Sequence, residues 1–150
     1  MSDTQRTDER SIRNLVAGYC HAIAERDDQA WAASWAEDGE WRVLGADVRG
    51  RDAILAHYRR LVAHVRWVVQ VAHDGIVEVD GDTAVGRWLI LEWLQWDDGR
   101  GGQNVGRYRD HYVRGADGKW RFARRHFHPI YLGPPDLSAP PPPQSTRGEA

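Results

Sequence analysis

The chain has 150 residues, enough for one domain with a real core or a core wrapped around a ligand cavity. A formal net charge of −2 at pH 7, with no long basic stripe, argues against a nucleic-acid partner. The lone Cys20 allows no internal disulfide framework and suits a cytoplasmic protein, while no signal peptide or membrane-length apolar run is seen.

Thr7, followed by Asp8 and Glu9, reads as a helix N-cap with an acidic first turn. Ile12, Leu15, Val16, Tyr19 and Ile23 then recur at helical spacing, predicting an amphipathic helix to about residue 25. Asp27-Asp28 ends it and caps a shorter helix carrying Trp31 and Trp35. Asp38-Gly39 is a turn signal before a strand over Glu40 to Leu44, and Gly45 to Gly50 is a connection with room for a short strand. A third helix follows from about Arg51 to His64, with Ile54, Tyr58, Leu61 and Val62 inward. The remainder reads as strands: Arg66 to Val79, Thr83 to Trp96, Gly106 to Arg114 and Trp120 to His128. Helices followed by antiparallel strands indicate the α+β class. After Leu132 the composition turns Pro-rich, so residues 1–132 form one domain and 133–150 a tail, extended and then disordered from about Gln144.

Strand side chains alternate faces, so Trp120, Phe122, Arg124, His126 and His128 share one face of the last strand. With Trp120 and Phe122 in a core, a cation and two imidazoles continue along the buried side, where unpartnered polar groups are costly. Tyr108, Asp110 and Tyr112 share a face of the strand before it. The simplest account is a sheet wrapped around a cavity that binds or transforms a ligand. Arg124 would stabilise an oxyanion or a departing anion. His126 and His128 have a spacing that also suits metal ligands, but nothing matches a recognised metal signature and no metal is expected.

His73 continues the row Val69, Val71 and is a general-base candidate, or else a core histidine bonded to a backbone carbonyl. Asp110 is either an acid–base group or the structural partner of Arg124 or another arginine. Tyr19, Trp41, Tyr58, Tyr108 and His128 are candidate substrate contacts, the aromatic ones offering flat apolar surface. His21, His57, His64 and His111 read as surface or packing residues. The chain has no Gly-x-Gly-x-x-Gly, Walker loop or Gly-x-Ser-x-Gly elbow, which argues against nucleotide cofactors and serine chemistry.

The order Tyr19-x-x-Ala22, Trp35-x-x-Asp38-Gly39-x-Trp41, Gly50-Arg51-Asp52-Ala53-Ile54, His73, Asp80-Gly81-Asp82-Thr83-Ala84, Gly106-x-Tyr108-x-Asp110-x-Tyr112 and Asp117-Gly118-x-Trp120-Arg121-Phe122 resembles the SnoaL-like group of the nuclear transport factor 2-like superfamily, over about residues 8–132. The resemblance implies a cone of bent antiparallel sheet, an α+β barrel, closed by three helices around a deep apolar pocket. It also implies cofactor-free proton chemistry on greasy small molecules, as in scytalone dehydratase, bile-acid 7α-dehydratase, hexachlorocyclohexane dehydrochlorinase and ketosteroid isomerase. By the same resemblance His73 is the general base, Asp110 a pocket carboxylate and Arg124 the pocket arginine, and the assembly is a homodimer or homotrimer. One departure stands out: the first-helix aspartate that partners the histidine in those relatives is Ala24 here. A lyase or isomerase is expected, with Asp110 supplying the negative charge or His126 and His128 taking over the base role. A non-catalytic binding or assembly module is the alternative, and an epoxide-opening or metal-assisted hydrolase the third.

Overall fold

The structure, a computed structural model, describes residues 2–142. Helix α1 spans Asp3–Glu25 and starts a turn earlier than Thr7 suggests. Ser2 accepts from the Gln5 amide at 3.2 Å while Gln5 accepts from the Ser2 amide at 2.9 Å, a reciprocal capping box. Thr7 lies inside the helix, its hydroxyl donating to the Asp3 carbonyl. Asp27 caps the short helix α2, Asp28–Ala33.

Trp35 is not in α2: it opens strand β1, Trp35–Val43. The Phe122 amide donates to the Ser34 carbonyl at 2.9 Å, and Trp35 pairs with Phe122, so pairing to a distant strand overrides local helical preference here. Leu44 and Gly45, both at positive φ, make the two-residue hairpin turn into β2, Ala46–Arg49. Helix α3 covers Arg51–Val62, and long strands follow: β3 Val65–Asp80, β4 Thr83–Trp96, β5 Gly101–Arg114 and β6 Trp120–Gly133.

The fold is α+β, with one six-stranded sheet in the order β2-β1-β6-β5-β4-β3. All neighbours are antiparallel except β1 and β6. Strands β2 and β3 are free edges, so the curved sheet does not close into a full barrel. The three helices lie across its inner face, and the core between is aromatic: Trp31 stacks on Tyr58 with ring centroids 4.2 Å apart, and Tyr19, Trp35, Trp41 and Phe122 surround them. Among the described residues no helix is long and apolar enough to cross a membrane.

Two irregularities decide which side chains face inward. In β6, Phe122 pairs with Tyr112 and Arg124 with His111, so Ala123 is an extra, bulged residue. Beyond it Arg125 and Phe127 point inward, and Arg124, His126 and His128 lie on the other face. In β3, Val68 and Gln70 face the core while Trp67, Val69 and His73 are exposed, and a second bulge falls between His73 and Ile76. Past β6 the Tyr131 hydroxyl donates to the Pro134 carbonyl at 2.7 Å and accepts from the Ala139 amide, fastening the start of the Pro-rich segment. The disorder expected from Gln144 lies outside the described residues.

Candidate active site

Between the helices and the inner sheet face is a cavity of about 290 Å³. Helix α1 contributes Tyr19 and Ile23, β1 contributes Trp41 and Val43, and α3 contributes Tyr58, Leu61 and Val62. The sheet supplies Val65, Val68 and Gln70 from β3, Ile90, Glu92, Leu94 and Trp96 from β4, Asn104 and Tyr108 from β5, and Phe127 from β6. Leu44 and Leu61 line the cavity yet remain exposed, which places its mouth between the β1–β2 turn and the end of α3.

Glu92 is the one carboxylate in this lining. It continues the inward row Trp88, Ile90, Glu92, Leu94 of β4 and is in direct register with Gln70 on one side and Asn104 on the other. The Gln70 amide nitrogen donates to one carboxyl oxygen at 2.8 Å, and the Asn104 amide nitrogen donates to the other at 2.6 Å. Burial raises the Glu92 pKa, and the two amide donors offset only part of that rise. Such a carboxylate is held in one orientation, has an unused lone pair on each oxygen, and is a stronger base than an exposed one. Its small accessible surface belongs to the cavity wall.

Tyr108 stands on the same inner face. Burial raises its pKa, while Arg125 and the approach of the Trp41 indole and Tyr19 hydroxyl oppose the rise. The Trp41 N–H reaches no partner at good hydrogen-bond geometry among the described residues. Tyr58, stacked on Trp31, has its pKa pushed up to about 12, first by burial and then by the Asp28 charge. Both phenols are therefore protonated donors near neutral pH.

Below the cavity floor lies a fully buried ion pair. Arg125 donates to the two Asp110 oxygens at 2.9 and 3.1 Å, and the Tyr112 hydroxyl donates to Asp110 at 2.7 Å. The Trp88 indole donates to Tyr112 at 2.8 Å. The guanidinium lies 3.8 Å from the Tyr108 ring centroid and 4.5 Å from that of Tyr19. Burial works against the Arg125 cation, but Asp110 and the surrounding tyrosines outweigh it and keep its pKa above the ordinary arginine value. Neither Asp110 nor Arg125 lines the cavity. They support it by fixing Tyr108 and Tyr19 from behind.

The SnoaL-like domain family matches residues 4–126, most of the chain. The chain belongs to the SnoaL-like domain family. No curated protein matches it significantly. Among solved structures it is similar to a variant of Rv3472, a protein of unknown function from Mycobacterium tuberculosis, at 32% identity and TM-score 0.76, over 85% of this chain and 74% of that one. It is also similar to a provisionally assigned scytalone dehydratase from Novosphingobium aromaticivorans, at 23% identity and TM-score 0.84, over 99% and 100% of the two chains. A type 2 hexachlorocyclohexane dehydrochlorinase shares the fold at 20% identity and TM-score 0.80, covering 95% of this chain and all (100%) of that one. At such identities the last two speak for the fold alone.

Within this SnoaL-like domain the expected inner-face cluster is redistributed. His73 is exposed on the outer side of β3, because the inward row there is Val68-Gln70-Ala72 rather than Val69-Val71-His73. Ala24 is also exposed on α1, outside the main cavity. Arg124 faces outward and bonds Glu40 of the adjacent strand at 3.3 Å, in a surface cluster with Arg42 and Arg49. His126 and His128 lie on that outer face with ring centroids 3.9 Å apart. The physical reason is the bulge at Ala123, since one extra residue exchanges the faces of everything beyond it. Tyr19, Trp41, Tyr58 and Tyr108 do line the cavity, and Asp110 is buried beneath it. Glu92, Gln70, Asn104 and Arg125 are absent from the residues that the sequence singles out. The signal for Glu92 was there: a carboxylate interrupting the apolar inward row of β4. Among the described residues no group of three or more His, Cys, Asp or Glu side chains could hold a metal ion.

Proposed function

We propose that this SnoaL-like domain is a cofactor-independent lyase or isomerase, acting on a small hydrophobic, aromatic-type molecule with Glu92 as the group that moves the proton. The observation that carries this reading is a carboxylate fixed by two amide donors in an apolar, aromatic-lined cavity, with its pKa raised by burial. Ionised Glu92 takes a proton from a C–H next to a substrate carbonyl. The C–H electron pair forms the enolate, and its oxygen receives a hydrogen bond from the Tyr108 or Tyr58 hydroxyl. Return of the proton at another carbon completes an isomerisation. Expulsion of a hydroxyl from the adjacent carbon, with the Glu92 proton leaving on it as water, completes a dehydration.

The cavity lining holds no histidine, which favours a competing reading as a ligand-binding module without turnover. Incubation of small cyclic ketones and hydroxyketones with the protein in D2O separates the two. Wild type should exchange or eliminate the acidic C–H proton, and Glu92→Gln should lose this by about 10²–10⁴-fold. Equal turnover by both proteins, or tight binding with no exchange in wild type, overturns the catalytic reading. Trp67, Val69, Leu89 and Trp93, exposed on the outer sheet face, support self-association as a homodimer or homotrimer.

A further inference from the structure

Gln70 is nine-tenths buried at the cavity wall and only half satisfied. Its amide nitrogen is committed to Glu92, while its side-chain carbonyl oxygen has no hydrogen-bond partner among the described residues. A buried acceptor left unmet costs free energy, and in a ligand cavity the usual remedy is a donor on the ligand. Turning the amide over would set its oxygen against the Glu92 carboxylate, so the fixed neighbour dictates which end remains free. Asn104 cannot serve, because its own amide is spent on the other Glu92 oxygen. The remaining lining beside Gln70 on the sheet is apolar: Val68, Ile90 and Leu94.

Cavity size narrows the class further. A volume of about 290 Å³ lies at the lower end of the roughly 300–1,000 Å³ range of small-molecule sites. A cavity at that lower end suits one or two rings better than a four-ring skeleton. We infer that the cavity selects a neutral mono- or bicyclic compound carrying a hydroxyl, and that Gln70 reads this hydroxyl through its side-chain oxygen. The inference rests on the proposed site at Glu92 but not on turnover there. Gln70 is thus a specificity residue, distinct from the proton-transfer group beside it.

Calorimetric titration with 2-naphthol, 2-methoxynaphthalene and a sterol tests this without any reaction. Wild type should bind the naphthol at least roughly tenfold more tightly than its methyl ether, since the ether offers no donor to the buried oxygen. The sterol should not bind. Gln70→Met, close in shape, should bring the naphthol-to-ether ratio near one, and Gln70→Leu serves if the first variant melts early. A ratio near one in wild type, or a preference that survives both Gln70 variants, overturns the assignment of the hydroxyl to Gln70. Absence of proton exchange in wild type, with the ratio intact, would instead defeat only the catalytic reading.

Discussion

Glu92 carries an energetic conflict that its neighbours only partly relieve. Its carboxyl is placed among apolar and aromatic side chains, and two amide donors are weaker compensation than a cation would be. Its folded pKa therefore lies above the ordinary 4.5. Between those two values the folded state holds a proton that the unfolded chain has released, so the contribution of Glu92 to stability falls as pH rises through that window. Below about pH 4.5 the penalty vanishes, because the group is protonated in both states. Glu92→Gln should accordingly melt higher than wild type at pH 7, each 1 kcal/mol gained appearing as about 2–4 °C in a domain of this size. The difference should shrink toward zero in melts at the acid end. A variant that melts lower than wild type at pH 7 would mean that the carboxylate is a net stabiliser, and the base strength argued for it would be lost. Asp110 is compensated differently: burial raises its pKa too, but its carboxylate has a bidentate arginine and a tyrosine hydroxyl as partners.

Strand β6 shows how one residue redistributes a whole element. Up to Phe122 its alternation is the one that the sequence predicts, and Ala123 then adds a step that β5 does not match. Arg125 thereby reaches Asp110, and Phe127 reaches the cavity wall beside Gly106. A side chain at Gly106 would leave only 2.4 Å between its Cβ and the Phe127 ring, so the strand pair is built for that approach. Deleting Ala123 should leave Arg125 and Phe127 inward, since a regular strand continued from Phe122 places them there too, at a cost of about 1–3 kcal/mol for lost bend and repacking. Inserting a second alanine after Ala123 should instead either carry Arg125 two residues along β5, from opposite Asp110 to opposite Tyr108, or turn it outward with the bulge kept, and both break the buried pair. Breaking a buried ion pair costs about 3–5 kcal/mol, so the insertion should melt well below the deletion. Circular dichroism melts of the two variants check this, and an insertion tolerated as well as the deletion would show that β6 can slip.

At the scale of the whole molecule the sheet has two different jobs. Its inner face holds the helices and the cavity. Its outer face is apolar around Val69 and Trp93, which are cross-strand partners, and around Leu89 nearby on β4. Exposed apolar surface of this kind is expected to be covered by a second copy of the chain. Light scattering after gel filtration should give a dimer or trimer for wild type and a monomer for Val69→Glu combined with Leu89→Glu. A wild-type monomer at micromolar concentration would remove self-association from this account. The cavity mouth at Leu44 and Leu61 is on the helix side, so the proposed ligand entrance and the proposed assembly face are separate surfaces.

What the sequence by itself determined was local. Apolar spacing set α1 and α3, the Asp27 cap set α2, Asp80-Gly81-Asp82 set the β3–β4 turn, and Tyr108-Asp110-Tyr112 alternated inward as period two requires. The ordered motifs also carried the family resemblance and with it the α+β fold. The helix cap at Ser2 and the strand start at Trp35 were less legible, because one depends on a reciprocal side-chain bond and the other on a distant partner strand. Only the tertiary structure decided the site. Glu92 and Asn104 lie opposite each other in the unbroken β4–β5 register, and Gln70 joins them because a bulge between His73 and Ile76 shifts the β3–β4 register by one. A bulge leaves almost no trace in composition or periodicity, yet it decides which face every later residue occupies.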